Sequence, residues 1–320
     1  MAKWIVGTIF FNEKDFIIPS IKSVYDFADK IILVEGKDKV FESSHINGLS
    51  SDGSTELVKE FIEKEDKDHK IVYIPLGLVN SKKELRQAYL DYAQKNYDEN
   101  AWILVLDADE GYHEKTLKLL DRYVDGDQNL QIILNDQFWF WSPAQVACKN
   151  SIEIEYPEVA VPGFTMKSTD KYCCDRSVQL AYHGYFDERI FRNLEGLSYN
   201  KSHTNVCDSS GEFLYSQDKY RENRNFITNS WANRFHYGYL KSERETESKL
   251  KYYLSRDGQL ISKDNNIGDS VKNSPFFWWK HNGRPEGIII PGSKPGLIVM
   301  SFEGEHPKSF ANHPLLRDQI

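Results

Sequence analysis

The first third of the chain alternates short apolar runs with amphipathic stretches. Residues 3–11, 30–35 (KIILVE), 70–75 (KIVYIP) and 101–106 (AWILVL) are apolar runs of strand length. Because they do not alternate with polar residues, they read as strands covered on both faces. Between the first two, Ile17, Ile21, Val24 and Ala28 fall at helical spacing, with Pro19 tolerated in the first turn. Leu57, Val58, Phe61 and Ile62 line one side of a second helix. A third helix opens at Ser81, which with Glu84 matches a capping box, each side chain satisfying a free backbone donor of the first turn. Leu85, Ala88, Tyr89 and Tyr92 form its apolar stripe, and Lys82 and Arg86 share another face. Strands alternating with helices predict crossovers onto a mostly parallel sheet.

Beyond about residue 125 the pattern changes. Residues 130–141 (LQIILNDQFWFW) read as a strand pair or one long bent strand, and residues 142–182 are loop-rich. Residues 240–256 predict a strongly charged helix. From 257 onward Gly, Pro and Asn recur around the cluster Phe276, Phe277, Trp278, Trp279. A composition shift near 235 marks a boundary, and no internal repeat is present.

Composition narrows the class. Of 320 residues, 13% are aromatic and 40% hydrophobic, so a folded protein with a sizeable core is expected. The 40 Lys+Arg are outnumbered by 48 Asp+Glu, a net charge of −8, which excludes a basic coat for nucleic acid. The cysteines Cys148, Cys173, Cys174 and Cys207 include an adjacent pair and no CxxC spacing, which argues against a disulfide framework or a zinc site. The apolar N-terminus is cut short by Asn12, Glu13, Lys14 and Asp15, too soon for a signal-peptide core. No stretch approaches the ~18 apolar residues of a membrane span. The expectation is a cytoplasmic protein, soluble or peripheral to a membrane, with no transmembrane segment.

Chemistry concentrates at Asp107-Ala108-Asp109, where the fourth apolar strand meets a Gly-containing loop. In open α/β sheets ligands bind outside the carboxyl ends of the strands. Two carboxylates one residue apart can share a hard divalent cation that keeps phosphate oxygens or waters as further ligands. The competing reading is a solvated turn, since Asp and Gly favour turns anyway.

The motifs Thr8-Ile9-Phe10-Phe11-Asn12-Glu13, ILVEG followed by Ser51-Asp52-Gly53-Ser54-Thr55, Arg86, and LVLDADEG together resemble family 2 glycosyltransferases over roughly residues 3–125. Arg189-Ile190-Phe191-Arg192 is similar to a later motif of that family. The resemblance implies an α/β GT-A fold, with a mostly parallel central sheet flanked by helices, an irregular acceptor-side half and a C-terminal extension. The implied layout is a nucleotide-binding half at 1–125, an acceptor half at 126–235 and the extension at 236–320.

It implies a metal-dependent, inverting transfer of a sugar from a nucleotide-diphosphate donor, UDP-sugar favoured, to a hydroxyl on a glycan, lipid-linked or protein acceptor. Phe10, Asn12 and Glu13 would flank the base and ribose. Glu35 stands where the family has an Asp that accepts a hydrogen bond from the base. Glu is longer, and about a dozen inserted residues separate it from Ser51-Asp52-Gly53. Asp52 has two roles open, nucleotide contact and helix N-cap. Arg86 is either a nucleotide contact or part of a solvated helical face. Asp107, Ala108 and Asp109 would form the diphosphate and metal motif, with Asp107 and Asp109 holding Mn²⁺ or Mg²⁺, and Glu110 orienting the acceptor or a metal-bound water.

Inversion needs a carboxylate that removes the acceptor proton. Asp187 and Glu188, just before Arg189, are the candidates, with Asp175 a second choice and a surface salt-bridge cluster the bland alternative. His236, and less so His203, would complete the metal sphere or pack as an ordinary hydrogen-bonded residue. The run Phe138-Trp139-Phe140-Trp141 and the pair Trp278-Trp279 would stack on sugars or, more commonly, pack in a core. Two other classes compete: a sugar nucleotidyltransferase, disfavoured because no Gly-rich basic loop follows the first strand, and a nucleotide- or carbohydrate-binding protein without activity, disfavoured by the intact acidic turn.

Overall fold

A computed structural model describes residues 2–39, 47–126, 130–142, 145–149, 187–200, 205–214, 226–256, 274–284, 289–290, 297–302 and 305–317. The chain divides into two units, each interrupted in sequence. The first comprises Met1–Asp136, Phe186–Arg234 and Pro307–Phe310, and the second Gln137–Tyr185, Phe235–His306 and Ala311–Ile320.

The first unit begins β1 (Lys3–Phe10), α1 (Ile17–Val24), β2 (Lys30–Asp38), α2 (Ser54–Lys64), β3 (Ile71–Val79), α3 (Lys82–Asn96) and β4 (Ala101–Val105). β5 (Glu110–Tyr112) and α4 (Glu114–Gly126) follow. β6 (Ile132–Ser142) starts in this unit and ends in the second. β8 (Asp187–Arg192), the short β9 (Ser198–Tyr199) and β10 (Val206–Cys207), and most of β11 (Phe226–His236) complete it, after β7 (Gln145–Lys149) of the second unit.

Its sheet runs β6-β8-β4-β1-β2-β3. β1 pairs in parallel with both β2 and β4, and β2 with β3, whereas β8 runs antiparallel to β4 and to β6. Every residue of β4 and nearly all of β1 and β2 are buried. That is why these strands read as unbroken apolar runs. α3 covers one face, where Leu85, Tyr89, Leu90 and Ala93 pack with Ile5, Ile32, Val34, Ile103 and Val105. Each such fully buried aliphatic side chain contributes roughly 1.5–3 kcal/mol. Elsewhere in the unit Trp4 packs on Phe27 with ring centroids 4.8 Å apart, and Tyr25 meets Phe61 edge-on at 5.8 Å.

Successive strands β1, β2, β3 step one way, and the chain then returns to add β4 on the other side of β1. That reversal opens a crevice at the carboxyl ends of β1 and β4, the place where open α/β sheets bind ligands.

Two elements run beyond the sequence reading. β2 continues to Asp38 and β3 to Val79, with a register irregularity at Glu35/Gly36 that lets both strands pass the end of the apolar run. The capping box at α3 does not form: Ser81 is the N-cap residue without a side-chain bond, and the Glu84 carboxylate accepts from the N–H of the preceding Asn80 at 3.2 Å.

In the second unit the antiparallel order is β12-β13-β7-β6, with β12 at Ile289–Ile290 and β13 at Leu297–Ser301. The helices are α5 (Glu243–Arg256), α6 (Pro275–His281) and α7 (Pro314–Arg317). α6 starts as the chemistry of helix ends dictates, with Ser274 as N-cap and Pro275 at the first position. Its Phe276, Phe277 and Trp279 pack with Trp141 into a buried cluster, joined by Tyr239, Leu250 and Trp278. Trp141 and Trp279 are therefore packing residues here, and Trp139 has a side chain outside the described set. Among the described residues no helix is long and apolar enough to cross a membrane.

Candidate active site

The acidic turn closes on itself before it meets anything else. The Glu110 N–H donates to the Asp107 carbonyl at 2.9 Å, and the Glu110 carboxylate accepts from the Asp107 N–H at 2.9 Å. This reciprocal pair fixes Ala108 and Asp109 at the tip, both buried, directly after β4. β5, which begins at Glu110, pairs with β11.

Asp107 accepts from two arginines. Its Oδ1 is 2.8 Å from Arg86 Nη2 and its Oδ2 3.0 Å from Arg189 Nη2. Arg86 comes from α3 and Arg189 from β8, so the carboxylate joins the helix layer to the antiparallel strand. Burial alone would raise the Asp107 pKa, but Arg189 and Arg86 outweigh it and hold the carboxyl well below the usual range. Glu110, 1% exposed, lies 3.8 Å from Arg189 Nη1 and 3.8 Å from Arg234 Nη1. Burial pushes its pKa up, and Arg234 and Arg189 only partly reverse this. The result is an alternating run Arg86, Asp107, Arg189, Glu110, Arg234 drawn from four separate places in the chain: α3, the acidic turn, β8 and β11.

Arg86 is thus an interior residue rather than part of a solvated face. Behind it the Tyr199 ring centroid is 5.9 Å from its Cζ, and the Tyr199 and Tyr89 hydroxyls are 2.5 Å apart. The aromatic ring steadies the guanidinium by a cation–π contact. Arg234 was not among the sequence candidates. It lies between Asn233 and Phe235 in a strand that the sequence pattern does not announce.

The second wall of the crevice is the loop after β1. Phe10 is buried, its ring centroid 6.3 Å from that of Tyr73. Asn12 takes the left-handed conformation at φ 54°. Its N–H donates to Ser50 Oγ at 3.0 Å, and its Oδ1 accepts from the Ser51 N–H at 2.9 Å. The Glu13 N–H donates to Ser54 Oγ at 2.8 Å, and the Glu13 carbonyl starts α1 by accepting from Phe16 and Ile17. Asp52 accepts from the Lys14 N–H at 3.0 Å and from Ser54 N–H and Oγ at 3.0 and 2.5 Å. The N-cap residue of α2 is Gly53, not Asp52. Glu35 sits at the same end of β2, and its carboxylate accepts from Ser50, Thr55 and Tyr73.

Asp187 and Glu188 open β8, in register with Asn135 and Leu134, and their side chains lie outside the described set. Asp175 and His203 lie outside the described residues. His236 belongs to the second unit, its ring 5.9 Å from Tyr239.

The turn's hard oxygen donors suit Mg²⁺ or Mn²⁺, which commonly takes one or two carboxylates and completes its shell with phosphate oxygens and water. Asp107 has both oxygens on guanidinium groups, and Asp109, the other acid of the pair, is buried beside it. Among the described residues no group of three His, Cys, Asp or Glu side chains gathers into a protein-only metal site.

Residues 5–143 match the model of the family described as glycosyl transferase family 2. No curated protein matches the chain. Among solved structures, a mannose-6-phosphate isomerase from Helicobacter pylori is similar at 13% identity, with a TM-score of 0.30. The likeness covers 46% of this chain and 56% of that one, so the chain spans little more than half of that protein, and it carries no argument about fold or activity.

Proposed function

We propose, from the premise that residues 5–143 form a family 2 glycosyltransferase-like domain of GT-A fold, that the protein moves a sugar from a nucleotide-diphosphate donor to a hydroxyl acceptor with inversion. The observation that carries this is the acidic turn at the reversal of strand order, facing a loop stitched shut around Asn12.

Phe10, Asn12 and Glu13 would border the nucleoside, with uridine diphosphate the first nucleotide to try. Asp109 would hold the divalent cation, with Asp107 one residue away fixed by Arg86 and Arg189. When bound, the cation neutralises charge developing on the departing diphosphate. The arginines support this reading. Arg86, Arg189 and Arg234 already pair with Asp107 and Glu110, and a divalent cation would add positive charge for an incoming diphosphate. Asp187 is the proposed base, removing the acceptor's hydroxyl proton as the oxygen attacks the anomeric carbon, with Glu188 beside it. The acceptor would be a glycan, a lipid-linked sugar or a protein hydroxyl.

A donor screen tests the proposal. Incubation with each nucleotide sugar and Mn²⁺ or Mg²⁺ is expected to release nucleoside diphosphate from one donor class, and Asp109→Asn is expected to slow release about 100-fold or more. Absence of release from every donor, at any metal concentration, would count against it.

A further inference from the structure

Glu35 is 0% exposed, at the point where β2 would end if it stopped with its apolar run. Its Oε1 accepts from the Ser50 N–H at 2.7 Å and from Thr55 Oγ1 at 2.6 Å, and its Oε2 accepts from the Tyr73 hydroxyl. Burial, followed by the bond to Glu35, raises the Tyr73 pKa, so the phenol stays a donor throughout the ordinary pH range. A carboxylate offers about four acceptor positions. Three are occupied by this chain's own donors, and no surface is left from which to reach a nucleobase.

The segment held this way is the one that borders the crevice. Ser50 receives the Asn12 N–H on its hydroxyl while giving its own N–H to Glu35. Ser51, Asp52 and Ser54 complete the stitching to Asn12, Glu13 and Lys14. The loop backbone also lies flat on the extended part of β3. Gly48 is at φ 71°, and a Cβ there would come 2.2 Å from the Leu78 nitrogen.

We propose that Glu35 is a positioning residue. It latches residues 47–55 onto the sheet and so sets the wall against which Phe10 to Glu13 are held, while the choice of base is made by these two loops and not by the Glu35 carboxylate. The inference rests on the reading of this edge as the nucleotide site. The residue occupying the base-reading position has been turned inward, and the insertion before Ser51 supplies one of its three partners, the Ser50 N–H.

Glu35→Gln keeps the size and removes the charge, and its amide presents a donor where Ser50 N–H, Thr55 or Tyr73 needs an acceptor. Two measurements decide. Amide exchange in the full-length chain without nucleotide is expected to speed up about tenfold or more at residues 49–55. Titration of UDP, GDP, CDP and ADP with Mn²⁺ is expected to show all affinities weakened by a similar factor with their order unchanged, and donor KM raised with kcat nearly kept. A changed order of nucleotides with unchanged loop exchange would overturn the proposal, as would no change in either. Should Glu35→Gln fail to fold, Tyr73→Phe removes one of the three bonds and is read the same way. If the wild type binds no nucleotide, the proposed function fails, and exchange at residues 49–55 still decides whether Glu35 is the latch.

Discussion

Asp107→Ala is expected to lower unfolding free energy by about 3–5 kcal/mol and to abolish donor turnover, the cost of removing one partner from a buried charge network. The substitution leaves Arg86 and Arg189 facing each other across the vacated carboxylate, with Glu110 shared between Arg189 and Arg234. Asp107→Asn keeps the shape and one acceptor, and falls between wild type and Ala. The pH dependence follows from the sign of the shift. Asp107 titrates below its unfolded value of about 3.9, so its stabilisation is fully present above that value and is lost as pH falls through the lower folded one. The gap between wild type and Asp107→Asn therefore stays constant from neutral pH to about pH 5 and closes below about pH 4. Glu110 runs the other way: its pKa is raised, so the stability linked to it is present below the unfolded value of about 4.3 and declines as pH rises through the folded one. Urea unfolding at stepped pH measures both.

Phe310→Ala is the second large effect, at about 3–5 kcal/mol for deleting a buried aromatic ring. Phe310 is 0% exposed and belongs to the first unit although it lies close to the end of the chain. Its ring fills the space above Gly111, where a Cβ would come within 2.4 Å of it, and sits 6.5 Å from the Phe16 ring. The Lys308 N–H donates to Glu114 Oε1 at 3.1 Å, which ties the same segment to the start of α4. Since Gly111 follows Glu110, loss of the ring loosens the acidic turn as well as the fold. Thermal melting is expected to show the stability loss, and Phe310→Leu is expected to recover more than half of it.

The first 125 residues were legible because parallel strands covered on both faces leave unbroken apolar runs, and because helices between them must show a single stripe. The acidic turn was legible from its place after the fourth run. The extensions of β2 and β3 were not, since Gly36-Lys37-Asp38 and the Gly77 bulge carry no strand pattern, and the strand is imposed by pairing across the sheet. Arg86 illustrates the limit for side chains. Its spacing on α3 matches a polar face equally well, and it is buried only because Asp107, two elements later, supplies the counter-charge. Glu35 reads as a base contact by position alone. Its actual partners are a backbone amide from the loop at Ser50 and hydroxyls from the first turn of α2 and from β3. Arg234 was invisible for the same reason, its carboxylate partner Glu110 lying 124 residues away in sequence.

Calorimetric titration of nucleoside diphosphates, with and without Mn²⁺, into wild type and Asp109→Asn tests the central claim most directly. The account predicts binding of a nucleoside diphosphate that requires the metal and is lost with the Asp109 carboxylate. Binding to no nucleotide, or binding indifferent both to Mn²⁺ and to Asp109, would contradict it.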